Sequence, residues 1–414
     1  MDHIRTARES HDDDDHCTGC RACMPRAQRT RRPEERPIAE ANLKPADGAR
    51  IIRSFAASRE ILRSTRVRQA GASAEVVDLS KPDEISFFFL DGDVHRKRRA
   101  AVAGLFAPRT IATRHRAVMD RTMDTIVAKL QERGSAPLDE LSWQMAVDVA
   151  AEIVGLTNSD SNANLARRVK AVLESSITRK PGFFNGLLFN ARMLVHVGRF
   201  WKHDLAPAVA ARRHQPRDDV ITHMVQADYS RKGMIMECLS YGGAGMMTTR
   251  EFIVMAAWHL FEKQPLRERF LSGSEEDQIA ILEEILRLEP VASMLHRRAA
   301  EPLAGPAGMA LAEGETACVS IREANVDEAI TGPCPFEIDP DRAKRMKVAG
   351  PYLSFGDGPH RCPGAQVALH ETRLFLDRLL RLPGIRLTAE PQVLWNAQIQ
   401  GYELRGAVVA CDPS

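Results

Sequence analysis

Apolar residues recur every three to four positions along much of the chain, the spacing of helices with one buried face. Five stretches show it plainly: DRTMDTIVAKLQER (120–133), SWQMAVDVAAEIVGL (142–156), NLARRVKAVLESSI (164–177), EFIVMAAWHLFEK (251–263) and EEDQIAILEEILRL (275–288). A sixth helix is predicted after Cys362, where PGAQVALHETRLFLDRLLRL aligns Ala365, Leu369, Thr372, Phe375, Leu376 and Leu379. Pro363 suits the first turn of that helix, because the missing N–H is no loss there. Alternation with β-branched residues is rarer and marks strands in ETACVSI (315–321) and YELRGAVVAC (402–411). The pattern predicts a mainly α body with a minor β portion, and no internal repeat interrupts it.

Residues 1–45 break the pattern. HDDDDH is followed by RAQRTRRPEERP, with little that could build a core. They read as a flexible charged tail before a globular body at 46–414. The 414 residues are 44% hydrophobic and carry a net charge of +2, ample for a large core and too balanced for a general nucleic-acid binder. No apolar run reaches the length of a membrane span. MDHIRTARESHDDDDHC has no apolar core of a secretory signal. The eight cysteines are unevenly spread, unlike a disulfide framework. A cytoplasmic location is the default expectation.

The densest backbone punctuation is SFGDGPHRCPGA (354–365), three glycines and two prolines around one cysteine. Such residues cost conformational entropy, so the loop requires unusual backbone angles. Cys362 stands directly before a helix start, where exposed N–H groups favour a thiolate over a thiol. Upstream, LSYGGAGMMTTREFIVMAAWHLF (239–261) is helical in pattern yet holds three glycines in its middle. Each costs about 1 kcal/mol against alanine, so a local opening or kink is predicted.

Phe355, Gly356, Asp357, Gly358, Pro359, His360, Arg361, Cys362, Pro363 and Gly364 fill every fixed position of Phe-Gly-x-Gly-x-His-x-Cys-x-Gly. This resembles the cysteine-ligand loop of the cytochromes P450, and the resemblance implies the P450 fold with haem b (iron protoporphyrin IX) held by the Cys362 sulfur. Phe355, Gly356, His360 and Gly364 then belong to the cofactor site, with Gly364 letting the helix pass close to the porphyrin. Three further motifs extend the likeness across about 46–414. Glu284 and Arg287 match a Glu-x-x-Arg structural pair, and Arg297 an Arg-x-Ala-x-Glu pattern in which a guanidinium binds a propionate, Arg298 being the neighbouring alternative. His95 and Arg99 match a His-x-x-x-Arg helix whose side chains share one face, with Phe106 and Pro108 downstream. Ala244, Gly245, Met246, Met247 and Thr248 match a segment that crosses the far side of the haem and leaves room for oxygen. Thr248, with Thr249 beside it, is the implied catalytic hydroxyl. Family positions also imply a substrate pocket of Tyr241, Met246, Met247, Val291, Met294, Leu295 and Ala397, the last within an Asn396–Gln398 segment.

Two positions depart from the family pattern. Met247 stands where an acid usually helps bring protons, and a thioether can do neither half of that exchange. Pro335 replaces the basic residue that usually completes a triad with Glu284 and Arg287, leaving Arg342 or backbone carbonyls to substitute. In the tail, Cys17, Cys20 and Cys23 resemble the start of a ferredoxin cluster motif that lacks its fourth cysteine, since Met24 precedes Pro25. A metal or iron–sulfur site and a redox-sensitive or merely unstructured tail both remain open.

The resemblance implies a monooxygenase that oxidises an apolar small molecule with O2. HRKRR (95–99) would suit an acidic electron donor. The chain lacks a dinucleotide-binding or flavin module, so electrons are expected from a ferredoxin and its NAD(P)H-dependent reductase. A haem-thiolate enzyme that couples, rearranges or dehydrates its substrate is the alternative, and a non-catalytic haem binder a further one.

Overall fold

The computed structural model describes residues 48–71, 80–177, 183–305, 309–397 and 399–412. The tail at 1–45, with Cys17, Cys20 and Cys23, lies outside the described residues. Helices dominate. In chain order they are α1 (Phe55–Arg63), α2 (Gly92–Val102), α3 (Arg116–Arg133), α4 (Leu138–Val154), α5 (Asn162–Ile177), α6 (Phe183–Phe200), α7 (Ala206–His214) and α8 (Val220–Gln226). They continue with α9, built from Arg231–Tyr241, a π-helical Gly242–Met247 and Thr248–Glu262, then α10 (Gln264–Ser272), α11 (Glu275–Leu288) and α12 (Ala365–Leu380).

The glycines of α9 do what their cost suggested. The chain stays right-handed helical through Tyr241 and Thr248, but the intervening turn widens to π geometry. The core forms where α9, α4, α3, α11 and α12 meet; in the last turns of α9, Phe252 to Leu260 are buried on every side. α11 starts on a capping box, Ser274 and Asp277 each satisfying the other's backbone N–H.

The β portion is small. β1 (Arg50–Ile52), β2 (Val67–Ala70), β4 (Met294–Ala299) and β7 (Thr316–Ser320) form one sheet in the order β1-β7-β4-β2, with only the β1–β7 pair parallel. β5 (Leu303–Ala304) pairs with β6 (Ala310–Leu311), and β3 (Ser135–Pro137), β11 (Val408–Ala410) and β8 (Arg386–Ala389) form a three-stranded sheet. β9 (Gln392–Asn396) and β10 (Gly401–Arg405) form a hairpin. YELRGAVVAC is therefore two strands in two sheets. Gly406 takes φ of 80° between them and turns the chain from one to the other.

Cys238, Cys318, Cys362 and Cys411 are free thiols, and Cys334 is in a disulfide, which the uneven cysteine spacing did not predict. Among the described residues no helix is long and apolar enough to cross a membrane.

Candidate active site

The loop before α12 is a tight double turn. Gly356 and Gly358 take φ of 69° and 67°, the Gly356 N–H donates to Leu353 O at 2.8 Å, and the Cys362 N–H donates to Phe355 O at 2.8 Å. A Cβ on Gly358 would lie 2.3 Å from Leu62 O at the end of α1, so only glycine fits this approach. Asp357 ties the same two pieces together. It caps Gly358 and accepts from Arg59 Nε at 3.1 Å and Arg63 Nε at 2.8 Å.

Cys362 is half-buried, and both its sulfur and Phe106 Cε1 lie 3.9 Å from where a Gly364 Cβ would sit. Its protonation differs from the expectation. Burial pushes the thiol up, and the Gly364 N–H, Arg99 and Arg361 only partly oppose it. The physical reason is position: α12 begins at Ala365 with Gly364 as its cap, leaving Cys362 and Pro363 outside the first turn. A thiolate there needs a cation bonded to the sulfur.

A polar collar of histidines and arginines gathers beside the cysteine loop. His95 and His360 stack with ring centroids 4.2 Å apart, and His360 Nε2 lies 2.9 Å from Asp91 Oδ1. His95 Nε2 is buried with no partner; burial first, then His360 and Arg99, hold this imidazole down at about 4. Arg99 donates to Arg361 O. Arg297 is buried in β4, donates to His296 O at 2.7 Å and is pushed down to about 10 by burial, with Asp91 opposing. Arg298, one residue on, is exposed. Strand alternation thus decides between the two arginines in favour of Arg297.

On α9, Ala244 is exposed although most of the helix is buried, and a Cβ on Gly245 would meet nothing within 4 Å. The widened turn presents open space here. Thr248 Oγ1 donates to Ala244 O at 2.6 Å on the accessible side, whereas Thr249 is buried. Arg250 and Glu251 turn away: Glu251 accepts from Leu404 N at 2.7 Å and Arg405 Nη1 at 3.1 Å, and Arg250 pairs with Glu251.

The expected pocket residues divide. Tyr241 is half-buried between Phe87 and Phe106, its hydroxyl without a partner. Leu295 Cδ1 lies 3.7 Å from where a Gly356 Cβ would sit, beside the cysteine loop. Val291–Leu295 and the β9–β10 turn do come together, through Ser293 N donating to Gln400 O at 2.9 Å. Ala397 in that turn is exposed, and Gln398 lies outside the described residues. Met246, Met247 and Met294 are 1%, 4% and 4% exposed and pack into the core, Met294 against Cys318.

Beneath the loop, Arg287 grips Glu284 with two bonds of 2.8 Å, and Arg342 Nε reaches Glu284 Oε1 at 3.0 Å. Arg342, from further along the chain, therefore takes the place left by Pro335. Asn325 completes the cluster by donating to Arg287 O at 3.1 Å and Ser354 Oγ at 2.8 Å, which anchors the start of the cysteine loop. Asn325 and Asp91 were not singled out in the sequence. Both act across long separations and belong to no local motif.

The comparisons with known proteins agree with this geometry. Residues 279–382, from α11 through α12, match the family model for cytochrome P450. The chain is 26% identical over 375 residues to nocardicin C N-oxygenase of Nocardia uniformis subsp. tsuyamanensis, covering 87% of this chain and 84% of that protein. It is 25% identical over 388 residues to the mycinamicin IV hydroxylase/epoxidase of Micromonospora griseorubida, covering 90% and 91%. Among solved structures, P450BioI in complex with acyl carrier protein ligated to hexadec-9Z-enoic acid superposes with a TM-score of 0.71 at 22% identity, covering 87% and 92%. From α11 through α12 the chain matches the cytochromes P450, and the described body shares their fold.

These residues suit the haem of that family. Phe106 joins the two sides of the site, lying 3.9 Å from where a Gly364 Cβ would sit beside the Cys362 sulfur and stacking on Tyr241 of α9. The collar holds two imidazoles and two guanidinium groups against one carboxylate, Asp91, with the buried His95 Nε2 lacking a partner. The two guanidinium groups and the orphaned His95 Nε2 ask for anionic acceptors, which porphyrin propionates supply.

Proposed function

We propose that this protein is a haem-thiolate monooxygenase that hydroxylates or otherwise oxidises an apolar small molecule. The observation that carries the reading is Cys362 on its glycine-turned loop, linked through Phe106 to Tyr241 of α9, whose widened turn leads to the accessible Ala244 and Thr248. Cys362 would hold the iron, and His95, Arg99, Arg297 and His360 would hold the propionates. A haem held by that sulfur would supply oxygen activation, with the thiolate's electron donation favouring O–O cleavage. Thr248 holds a hydroxyl proton at Oγ1 on the accessible side of the opened turn. With Met247 packed in the core and Glu251 committed to β10, proton supply rests on Thr248 and water.

Electrons are proposed to come from a ferredoxin and its NAD(P)H-dependent reductase. Exposed Arg96 and Lys97 on α2, with exposed Arg361 beside the cysteine, present a basic approach for an acidic donor. A cytoplasmic setting fits that supply. The named relatives include an N-oxygenase and a hydroxylase/epoxidase, which supports oxygen transfer and leaves the substrate open. The reduced carbon monoxide difference spectrum tests the thiolate-bound haem. Turnover with isotopically labelled O2, redox partners and an apolar substrate panel tests the chemistry, and label in the product is expected. The second reading, a haem-thiolate enzyme that couples, rearranges or dehydrates, is favoured by the missing acid at Met247. It predicts product without label.

A further inference from the structure

Helix α6 is apolar on two opposite faces. Met193, Val197 and Phe200 pack on the core. On the other side Leu187, Leu188, Leu194 and Val195 are 60%, 69%, 75% and 50% exposed. At about 100° per residue, Leu187, Ala191, Val195 and Leu188 share one arc, with Leu194 at its edge. Exposed Arg192 and Arg199 lie along one flank of that arc, and exposed Lys202 and His203 follow in the next turn. The sequence holds no Asp or Glu from Ser175 to His203, but five Lys or Arg. Large apolar side chains exposed together on one helix face mark an interaction surface, so this outer face calls for a cover.

We propose that the outer face of α6 docks the protein on an anionic phospholipid surface. The leucines and valine enter the boundary between headgroups and acyl chains, and the cationic flank meets the headgroup charge. A second copy of the chain fits poorly, because two-fold antiparallel pairing would set each arginine flank against its own copy. The docking does not depend on the haem reading, and its test uses no activity.

The full-length protein is floated with vesicles of phosphatidylcholine alone, and of phosphatidylcholine with phosphatidylglycerol, at low and moderate salt. Binding is expected to the anionic vesicles and to weaken with salt. The double variant Leu188→Glu/Leu194→Glu, with unchanged circular dichroism, should lose at least about tenfold in partition, since each leucine withdrawn from water contributes on that scale. Arg199→Ala/Lys202→Ala should lose about fivefold per cation removed. No binding to anionic vesicles, or equal binding by the leucine variant, overturns the proposal. So does a leucine-dependent dimer in light scattering without vesicle binding, which would give the face to a second copy.

Discussion

Replacing Arg342 with methionine should cripple the protein although the residue belongs to the Glu284 cluster and not to the cysteine loop. The guanidinium is buried and donates to Glu284 Oε1 at 3.0 Å, Thr331 O at 2.8 Å, Cys334 O at 3.0 Å and Glu337 O at 3.0 Å. Summing four bonds to a charged group at about 1.5–3 kcal/mol each would give roughly 6–12 kcal/mol. That overshoots, because the wild type also bears the desolvation of the guanidinium, which methionine relieves. Removing one partner of a buried pair costs about 3–5 kcal/mol in practice, since the other charge is left uncompensated. Glu284 would keep only Arg287 and the Asp339 N–H at 3.2 Å. Against a total stability of about 5–15 kcal/mol the loss is severe. The damage should also reach the cysteine loop, because Arg287 and Asn325 position Ser354 and Leu353. The assay is urea denaturation of purified protein together with haem content per chain. Arg342→Lys, which keeps the charge but not the forked donors, should fall between wild type and methionine. Wild-type stability and haem content in Arg342→Met would refute the reasoning.

Four shorter predictions follow from the same geometry. Cys362→Ser should abolish the carbon monoxide spectrum of a thiolate-bound haem while circular dichroism stays near wild type, because the loop is held by backbone bonds such as Cys362 N to Phe355 O. Thr248→Ala should lower product formed per electron consumed by about tenfold or more, whereas Thr249→Ala, at a buried position, should change stability and leave that ratio near wild type; equal ratios would remove Thr248 from proton supply. Met247→Asp should not restore the missing acid: its site is 4% exposed within the core, so the variant should lose about 2 kcal/mol or more in urea denaturation. Glu371 on α12 is buried, its Oε1 without a partner, and burial with Asp148 behind it pushes the carboxyl up to about 8. A raised folded value means the folded state holds the extra proton, so this stabilisation is full below the unfolded value of 4.5 and is lost as pH rises through about 8. Glu371→Gln should therefore flatten the fall in stability across that window, and an unchanged pH profile would count against the burial argument.

Much of the architecture and of the site chemistry could be read from the chain alone, because both rest on local constraints. Helix α11 occupies the stretch its apolar spacing marked, and α9 opens where three glycines interrupt it. The cysteine loop was legible because a sulfur presented from two left-handed glycines demands those residues at those places. Other outcomes needed the folded molecule, since they depend on which distant groups meet in a shared interior. The sequence allowed either Arg297 or Arg298 to face inward, and the pleat of β4 chose the first. It left Arg342 as one of two substitutes in the Glu284 cluster, and packing across 58 residues brought it there. A helix start at Cys362 argued for a thiolate, whereas burial by the surrounding elements pushes the metal-free thiol up. Local rules describe how a segment folds on itself, while burial, charge and alignment at a site are sums over every element packed around it.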